Sequence, residues 1–316
     1  MYTGLHIHDQ YSNITTGLDS INKLPDLVKR AKEHGMKGLA ITNHDNLSEV
    51  IEINRMQKKL RKDEDPFVLA IGNEIYLIDK YVDEDGNRQL YYHFILIAKD
   101  KIGFKALVEL SSKAWYRSSI LRGKRRVPTE KADIEEVMKW AKGHVIASTA
   151  CLGGEFAKLV LAGEYDKATE FLNWCEEQFG HDDFYIELQP SDSPEQCMFN
   201  KYAVITYHPD FKFIITTDAH YLDEKDFPIF EAFLRSQREK REVKEYYTYA
   251  RLMDEEEIFK WMRHMGIDDN VTQECLDNTN KVAEQIEFYD LEQKQRIPSC
   301  PLQDICITIP DDKLQE

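Results

Sequence analysis

The sequence predicts an α/β fold, a largely parallel barrel or sheet built from βα repeats, and two observations carry that expectation. Short β-branched or apolar runs alternate with longer segments of helical period. Residues able to hold a metal recur at the predicted strand ends, and the mouth of a barrel is where such ends converge. The chain has 316 residues, 42% of them hydrophobic, enough for one large barrel-type domain with a smaller appendage.

Taken in order, GLHIH reads as the first strand, PDLVKRAKEHG as a helix with Pro25 in its first turn, and KGLAITNH as the second strand. NRMQKKLRK is helical. FVLAIGNEIYLI and YYHFILIAK are extended and flank a DEDGN turn, which predicts a hairpin. KIGFKALVELSSKAW is a helix, followed by the basic stretch RSSILRGKRRVPTEK and a helix ending near Lys142. HVIASTA is a strand, residues 155 to 179 form one long helix, and FYIELQ is again a strand. CMFNKYAVITYH is helical and FKFIITTDAH the last clear strand. Beyond it, DEEEIFKWMRH and QECLDNTNKVAEQI predict helices before a tail-like C-terminus.

Composition narrows the function. A net charge of -16 and a pI near 5.1 argue against broad adhesion to nucleic acid, which needs a positive surface, so any contact with DNA must be local. The six cysteines are scattered without a CxxC pair, which argues against a disulfide framework or a zinc ribbon. No run is long and apolar enough for a membrane span, and MYTGLHIHDQ has no signal-peptide core, so no membrane partner and a cytoplasmic location are expected.

Chemistry gathers at the strand ends. His6 and His8 form an H-x-H pair that an extended chain presents on one side. His44 ends the second strand, Glu74 lies near the end of the third, and Cys151 follows the HVIASTA strand. Asp218 and His220 end the last strand as D-x-H, and His93 opens the returning hairpin strand. Each signal is weak alone; their recurrence at one mouth predicts a metal site.

The series HIHDQYSN, AKEHGMKGLAITNHDNL, GNEIYLI, YYHFILIAKDKIGFKALVELSS, ASTACLGGEFAKLVLAGEYDKA, FYIELQ and TTDAHYL resembles, in order, the PHP (polymerase and histidinol phosphatase) domain at the front of bacterial DNA polymerase III alpha subunits. The likeness runs to about Pro301. It implies a distorted (β/α)7 barrel with a C-terminal helical extension, divided as a barrel over 1–225 and helices with a tail over 226–316. It also implies nine ligand positions, His6, His8, Asp19, His44, Glu74, His93, Cys151, Asp218 and His220, acting through up to three divalent ions of zinc, manganese or iron. In that scheme His6, His8, Glu74 and Asp218 serve one ion, Glu74, His93 and Cys151 a second, and Asp19, His44 and His220 a third. Asp19 follows from matching LDSINKLPDL backward; with no insertion allowed in the loop, Thr15 takes the place. Asn43 stands where the family usually has Asp, which is expected to alter a hydrogen bond behind a ligand.

The resemblance favours a metal-dependent 3′→5′ exonuclease on single-stranded or frayed DNA ends, with replicative polymerase components as further partners. Two alternatives stand beside it: a small-molecule phosphomonoesterase of the histidinol-phosphatase type, and a non-catalytic replication scaffold. The family's polymerising carboxylates lie beyond where this chain stops, so polymerisation is not expected of it. Arg117, Arg122, Lys124, Arg125 and Arg126, beside Trp115 and Tyr116, are candidate DNA contacts; an exposed loop is the competing reading. Glu187 is expected to make a structural hydrogen bond.

Overall fold

The computed structural model describes residues 1–80, 90–120, 128–236 and 245–295. The DEDGN turn, Arg122, Lys124, Arg125, Arg126 and the C-terminal tail lie outside the described residues. In chain order the elements are β1 (Thr3–Ile7), α1 (Asn13–Thr16), α2 (Leu24–Glu33), β2 (Gly38–Ile41), α3 (Val50–Lys62), β3 (Val68–Ile78) and β4 (Tyr92–Ala98). They continue with α4 (Lys101–Ile120), β5 (Pro128–Glu130), α5 (Lys131–Ala141), β6 (Val145–Ser148), α6 (Glu155–Leu161) and α7 (Tyr165–Phe179). The last are β7 (Phe184–Leu188), α8 (Pro194–Tyr207), β8 (Phe213–Ile215), α9 (Phe227–Arg235), α10 (Glu255–His264) and α11 (Asp269–Glu284).

The strands follow one another around the sheet as β1, β2, β3, β4, β6, β7, β8, with β5 added at the upper end of β3. β4 alone on this path runs antiparallel to both neighbours, as the hairpin pattern requires. The ends of the sheet meet. Ile7 bridges Ala219, where the His8 N–H donates to the Ala219 carbonyl at 3.0 Å. The α/β barrel predicted from the sequence is therefore a distorted one, seven strands round with one reversed.

Two apolar layers hold it. Leu5, Ala40, Ala70, Ile95, Ile97, Ile146, Tyr185 and Ile214 pack inside the barrel, and Val282 of α11 joins them. The opposite strand faces, including Ile7, Leu39, Ile41, Leu69, Ile71 and Ile186, pack against the surrounding helices. Burial of these side chains, at roughly 1.5–3 kcal/mol each, is the main force closing the barrel. The helices after residue 226 share that core: Met253, Ile258, Met262 and Leu276 belong to the outer layer. Polar contacts add to it, since Thr279 accepts from the Thr3 N–H at 3.0 Å and Asn278 donates to the Phe213 carbonyl at 2.9 Å.

Three local features differ from the sequence expectation. The long helix over 155–179 is two helices, broken at Ala162–Glu164, where Gly163 takes φ +75°, a conformation side chains disfavour. Glu74 is not near a strand end, because β3 continues to Ile78 in order to pair with β5. Leu5 faces the inner core and His6 the mouth, which a regular period-two strand forbids; the register of β1 against β2 shifts between Gly4 and Ile7, and that bulge re-aims the H-x-H pair.

Candidate metal centre

The nine ligand-type side chains singled out in the sequence come together at the mouth of the barrel. His6 and His8 reach it from the end of β1, Glu74 from β3, His93 from the start of β4, and His44, Cys151, Asp218 and His220 from the segments that follow β2, β6 and β8. Asp19 arrives from the loop after α1. Asp45, Ala150 and Asp218 all take positive φ, at 52°, 59° and 47°. Three non-glycine residues in that disfavoured region, each beside or at a ligand position, mark backbone strain collected at one site.

Glu74 is the hub. Its Oε1 lies 2.8 Å from His93 Nδ1 and 3.3 Å from His6 Nε2, and its Oε2 lies 2.7 Å from His44 Nδ1 and 3.2 Å from His8 Nε2. Asp218 Oδ1 is 3.1 Å from both His6 Nε2 and His8 Nε2. Asp19 Oδ2 is 3.1 Å from both His44 Nε2 and His220 Nε2. Cys151 Sγ stands 3.5 Å from His93 Nδ1. Thr15 takes a different place: its hydroxyl donates to the His44 carbonyl at 2.5 Å, within the backbone framework under the site.

Partners behind the ligands fix which nitrogen is bare. Glu187 Oε1 accepts from His6 Nδ1 at 2.7 Å, and its own position is held by Ser148, Gln189 and Thr216, all of which donate to it. His6 therefore turns Nε2 to the mouth. Asn43 Nδ2 donates to Asp9 Oδ1 at 2.7 Å, so Asn43 Oδ1 accepts, taking the Ser12 hydroxyl proton at 2.7 Å. Ser12 Oγ must then accept from His8 Nδ1, at 2.8 Å, which bares His8 Nε2 as well. His220 Nδ1 donates to the Asp218 carbonyl at 2.7 Å, aiming its Nε2 at Asp19.

The charge pattern follows. Burial opposes ionisation of Glu74, Asp19 and Asp218, yet the facing imidazoles hold all three well below the usual carboxylate range. Burial likewise opposes charge on His44, but Glu74 and Asp19 push it up to about 10. His6 is raised against its burial by Asp218, Glu187 and Glu74. His8 goes the other way, lowered by burial and by His44 and His220. Burial, then Asp218 and Glu74, push the Cys151 thiol well up, so it keeps its proton until a cation offsets that negative field.

This donor set fits divalent cations. Both oxygens of Glu74, Asp218 Oδ1 and His44 Nδ1 are buried and make no hydrogen bond although imidazole nitrogens or carboxylates stand within 3.6 Å of each. Buried side chains that converge tip to tip without well-aligned hydrogen bonds are suited to hold ions between them. Three overlapping sets lie within reach of one ion each: His8, Asp19, His44 and His220; His6, His8 and Glu74; and His44, Glu74 and His93.

Glu187, expected to make a structural hydrogen bond, makes one to His6. Ser12, which holds His8 Nδ1, was missed by sequence reasoning because it offered no signal. Of the described candidates for contacting DNA, Arg117 is already engaged, with Asp133 at 2.7 Å and the Pro128 carbonyl at 3.0 Å. Trp115 donates its indole N–H to the Asp45 carbonyl at 3.1 Å, one residue past His44, and Tyr116 is exposed.

Comparison with known proteins identifies relatives of the chain. Among proteins of known sequence, the Bacillus subtilis (strain 168) protein named Probable DNA polymerase YorL is 38% identical over 95% of this chain and 24% of its own. The DNA polymerase III subunit alpha of Borreliella burgdorferi is 28% identical over 91% of this chain and 24% of its own. The chain thus spans about a quarter of the length of these relatives. Among solved structures, an amidohydrolase from Chromobacterium violaceum aligns with a TM-score of 0.41 at 14% identity, over 74% of this chain and 97% of its own. The sequence profile of the PHP domain matches residues 4–191. With that match over more than half its length, the chain belongs to the PHP family.

Proposed function

We propose that this chain is a metal-dependent phosphoesterase that removes nucleotides from the 3′ ends of single-stranded or frayed DNA. The convergence of nine ligand-type side chains, centred on the Glu74, Asp218 and Asp19 carboxylates among them, at one mouth carries the proposal. His6, His8, Glu74 and Asp218 would hold one ion, Glu74, His93 and Cys151 a second, and Asp19, His44 and His220 a third. Bound there, zinc, manganese or iron supplies Lewis acidity toward a phosphoryl oxygen and brings the pKa of water toward neutrality. Glu187 and Ser12 keep His6 and His8 in the tautomers that point Nε2 forward. The burial of Glu74 and His8 keeps bulk water off the inner ligands, which strengthens every charge interaction there.

Relatives named as DNA polymerases favour DNA as the ester. Trp115, beside the His44 edge of the mouth, and the exposed Tyr116 next to it in sequence offer faces on which bases can stack. Arg122, Lys124, Arg125 and Arg126 are proposed phosphate contacts, whereas Arg117 is engaged by Asp133 and the Pro128 carbonyl. The barrel over 1–225 carries the chemistry in this reading, and the helices after 226 support it and offer a surface to replication components.

The test is incubation of metal-loaded protein with 5′-labelled single-stranded DNA, a 3′-labelled copy and p-nitrophenyl phosphate, each beside a His8→Ala control. Stepwise shortening of the 5′-labelled strand, early release of the 3′ label as a mononucleotide, and loss of both in His8→Ala are expected. Monoester hydrolysis with intact DNA would replace the proposal with a small-molecule phosphatase, and inactivity on all three with a scaffold.

A further inference from the structure

Beside the ligand cluster lies a recess of about 190 Å³ whose lining includes His93, Cys151 and Asp218 together with Leu152, Lys158 and Tyr249. Drug-sized ligands take pockets of roughly 300–1,000 Å³, so this space suits one unit of a chain rather than several. Lys158, exposed on α6, is the only lysine or arginine in the lining, and its amine makes no ion pair or hydrogen bond among the described residues. Its neighbours are otherwise engaged: Glu155, one turn earlier, is paired with Lys131 at 2.8 Å. In a protein of net charge -16, an uncommitted ammonium at the edge of a metal cluster is placed to meet an anion.

The recess is also lined by an aromatic, Tyr249. Tyr249 packs edge-to-face on Trp261 with ring centroids 4.9 Å apart. Burial, then the nearby Asp192 carboxylate, raise its hydroxyl, which therefore stays neutral. An aromatic ring and a cation lining one recess, beside a cluster suited to phosphoryl chemistry, are the pair of features that recognises a nucleotide by its base and its phosphate.

We propose that this recess is a subsite for a nucleoside 5′-monophosphate unit, with Lys158 on the phosphate and the Tyr249 ring against the base. It rests on the phosphoesterase reading for its biological use and assigns to it the seat of the terminal nucleotide. The two are separable, because this subsite is read by equilibrium binding and the phosphoesterase reading by turnover.

The experiment is calorimetric titration of the full, manganese-loaded chain with dAMP and, separately, with inorganic phosphate. dAMP should bind on the order of tenfold tighter than phosphate, the range base stacking supplies. Tyr249→Ala should close that gap and Tyr249→Phe preserve it, while Lys158→Ala should weaken dAMP about fivefold or more at unchanged metal content. Equal affinities for dAMP and phosphate in the native chain, or an unaltered dAMP affinity in Lys158→Ala, would overturn the assignment. Lys158 is exposed, so that arm stands even where a substitution at Tyr249 impairs folding.

Discussion

The Nε2 atoms of His6 and His8 face each other at 3.1 Å, although the Nδ1 of each is committed as a donor, to Glu187 and to Ser12. Two neutral imidazoles so arranged would oppose lone pair to lone pair. A proton on one ring or a shared cation removes the conflict, and the nearby oxygens of Glu74 and Asp218 complete a cation's surroundings. The relationship makes Glu187 a determinant of metal affinity from behind the ligands.

Glu187→Gln keeps the shape but can present an amide N–H to His6 Nδ1, which favours the wrong tautomer. Metal affinity should fall by roughly 10–100-fold, the usual effect of such partners. Competition against a chelator of known affinity measures it, and far-UV dichroism should stay unchanged.

Chelation should also reduce stability. Glu74, Asp19 and Asp218 are buried and held ionised, so cations that bind only the folded chain add stability by mass action. A melting temperature several degrees higher with manganese or zinc than in chelator is expected, with the increment reduced in His8→Ala. Scanning calorimetry checks both.

Glu49 sets a pH dependence of its own. Burial, reinforced by Asp9, pushes its carboxyl up to about 8 from the model-peptide 4.5. The folded form keeps its proton where the unfolded chain has lost it, so the contribution to stability is full below pH 4.5 and is lost as pH rises through about 8. Glu49→Gln should match the native protein near pH 5 and exceed it by about 4 kcal/mol near pH 9. Urea denaturation at the two pH values decides.

Gly154 lies where the chain returns toward Cys151, a proposed ligand, and a Cβ there would sit 2.1 Å from the Thr149 carbonyl oxygen. Gly154→Ala must displace backbone, at a cost of about 1–3 kcal/mol. Because Gly154 also bridges His93, the shift should lower occupancy at the Cys151 side of the cluster. Cobalt substitution, with its thiolate charge-transfer band, would report that loss.

Much of the barrel was legible because its signals repeat. Strands around His6, His44 and His220 announce themselves by apolar runs that end in ligand types, and the reversed β4 by two extended runs in succession. What stayed hidden depends on single residues or on distant partners. Gly163 breaks a continuous helical pattern, β5 is three residues long, and the bulge that lets Leu5 and His6 face the same interior has no local sequence mark. Asp19 against Thr15 was a question of loop length, and the folded loop puts the Asp19 carboxylate between His44 and His220. Arg117 reads as a free cation in sequence only because Asp133 lies a helix start away.

Metal stoichiometry tests the central claim most directly. The native chain, dialysed against manganese or zinc and then against buffer, should retain more than one ion per chain by inductively coupled plasma mass spectrometry, and Glu74→Ala should retain at least one fewer. A folded native chain that retains none under either metal would contradict the account.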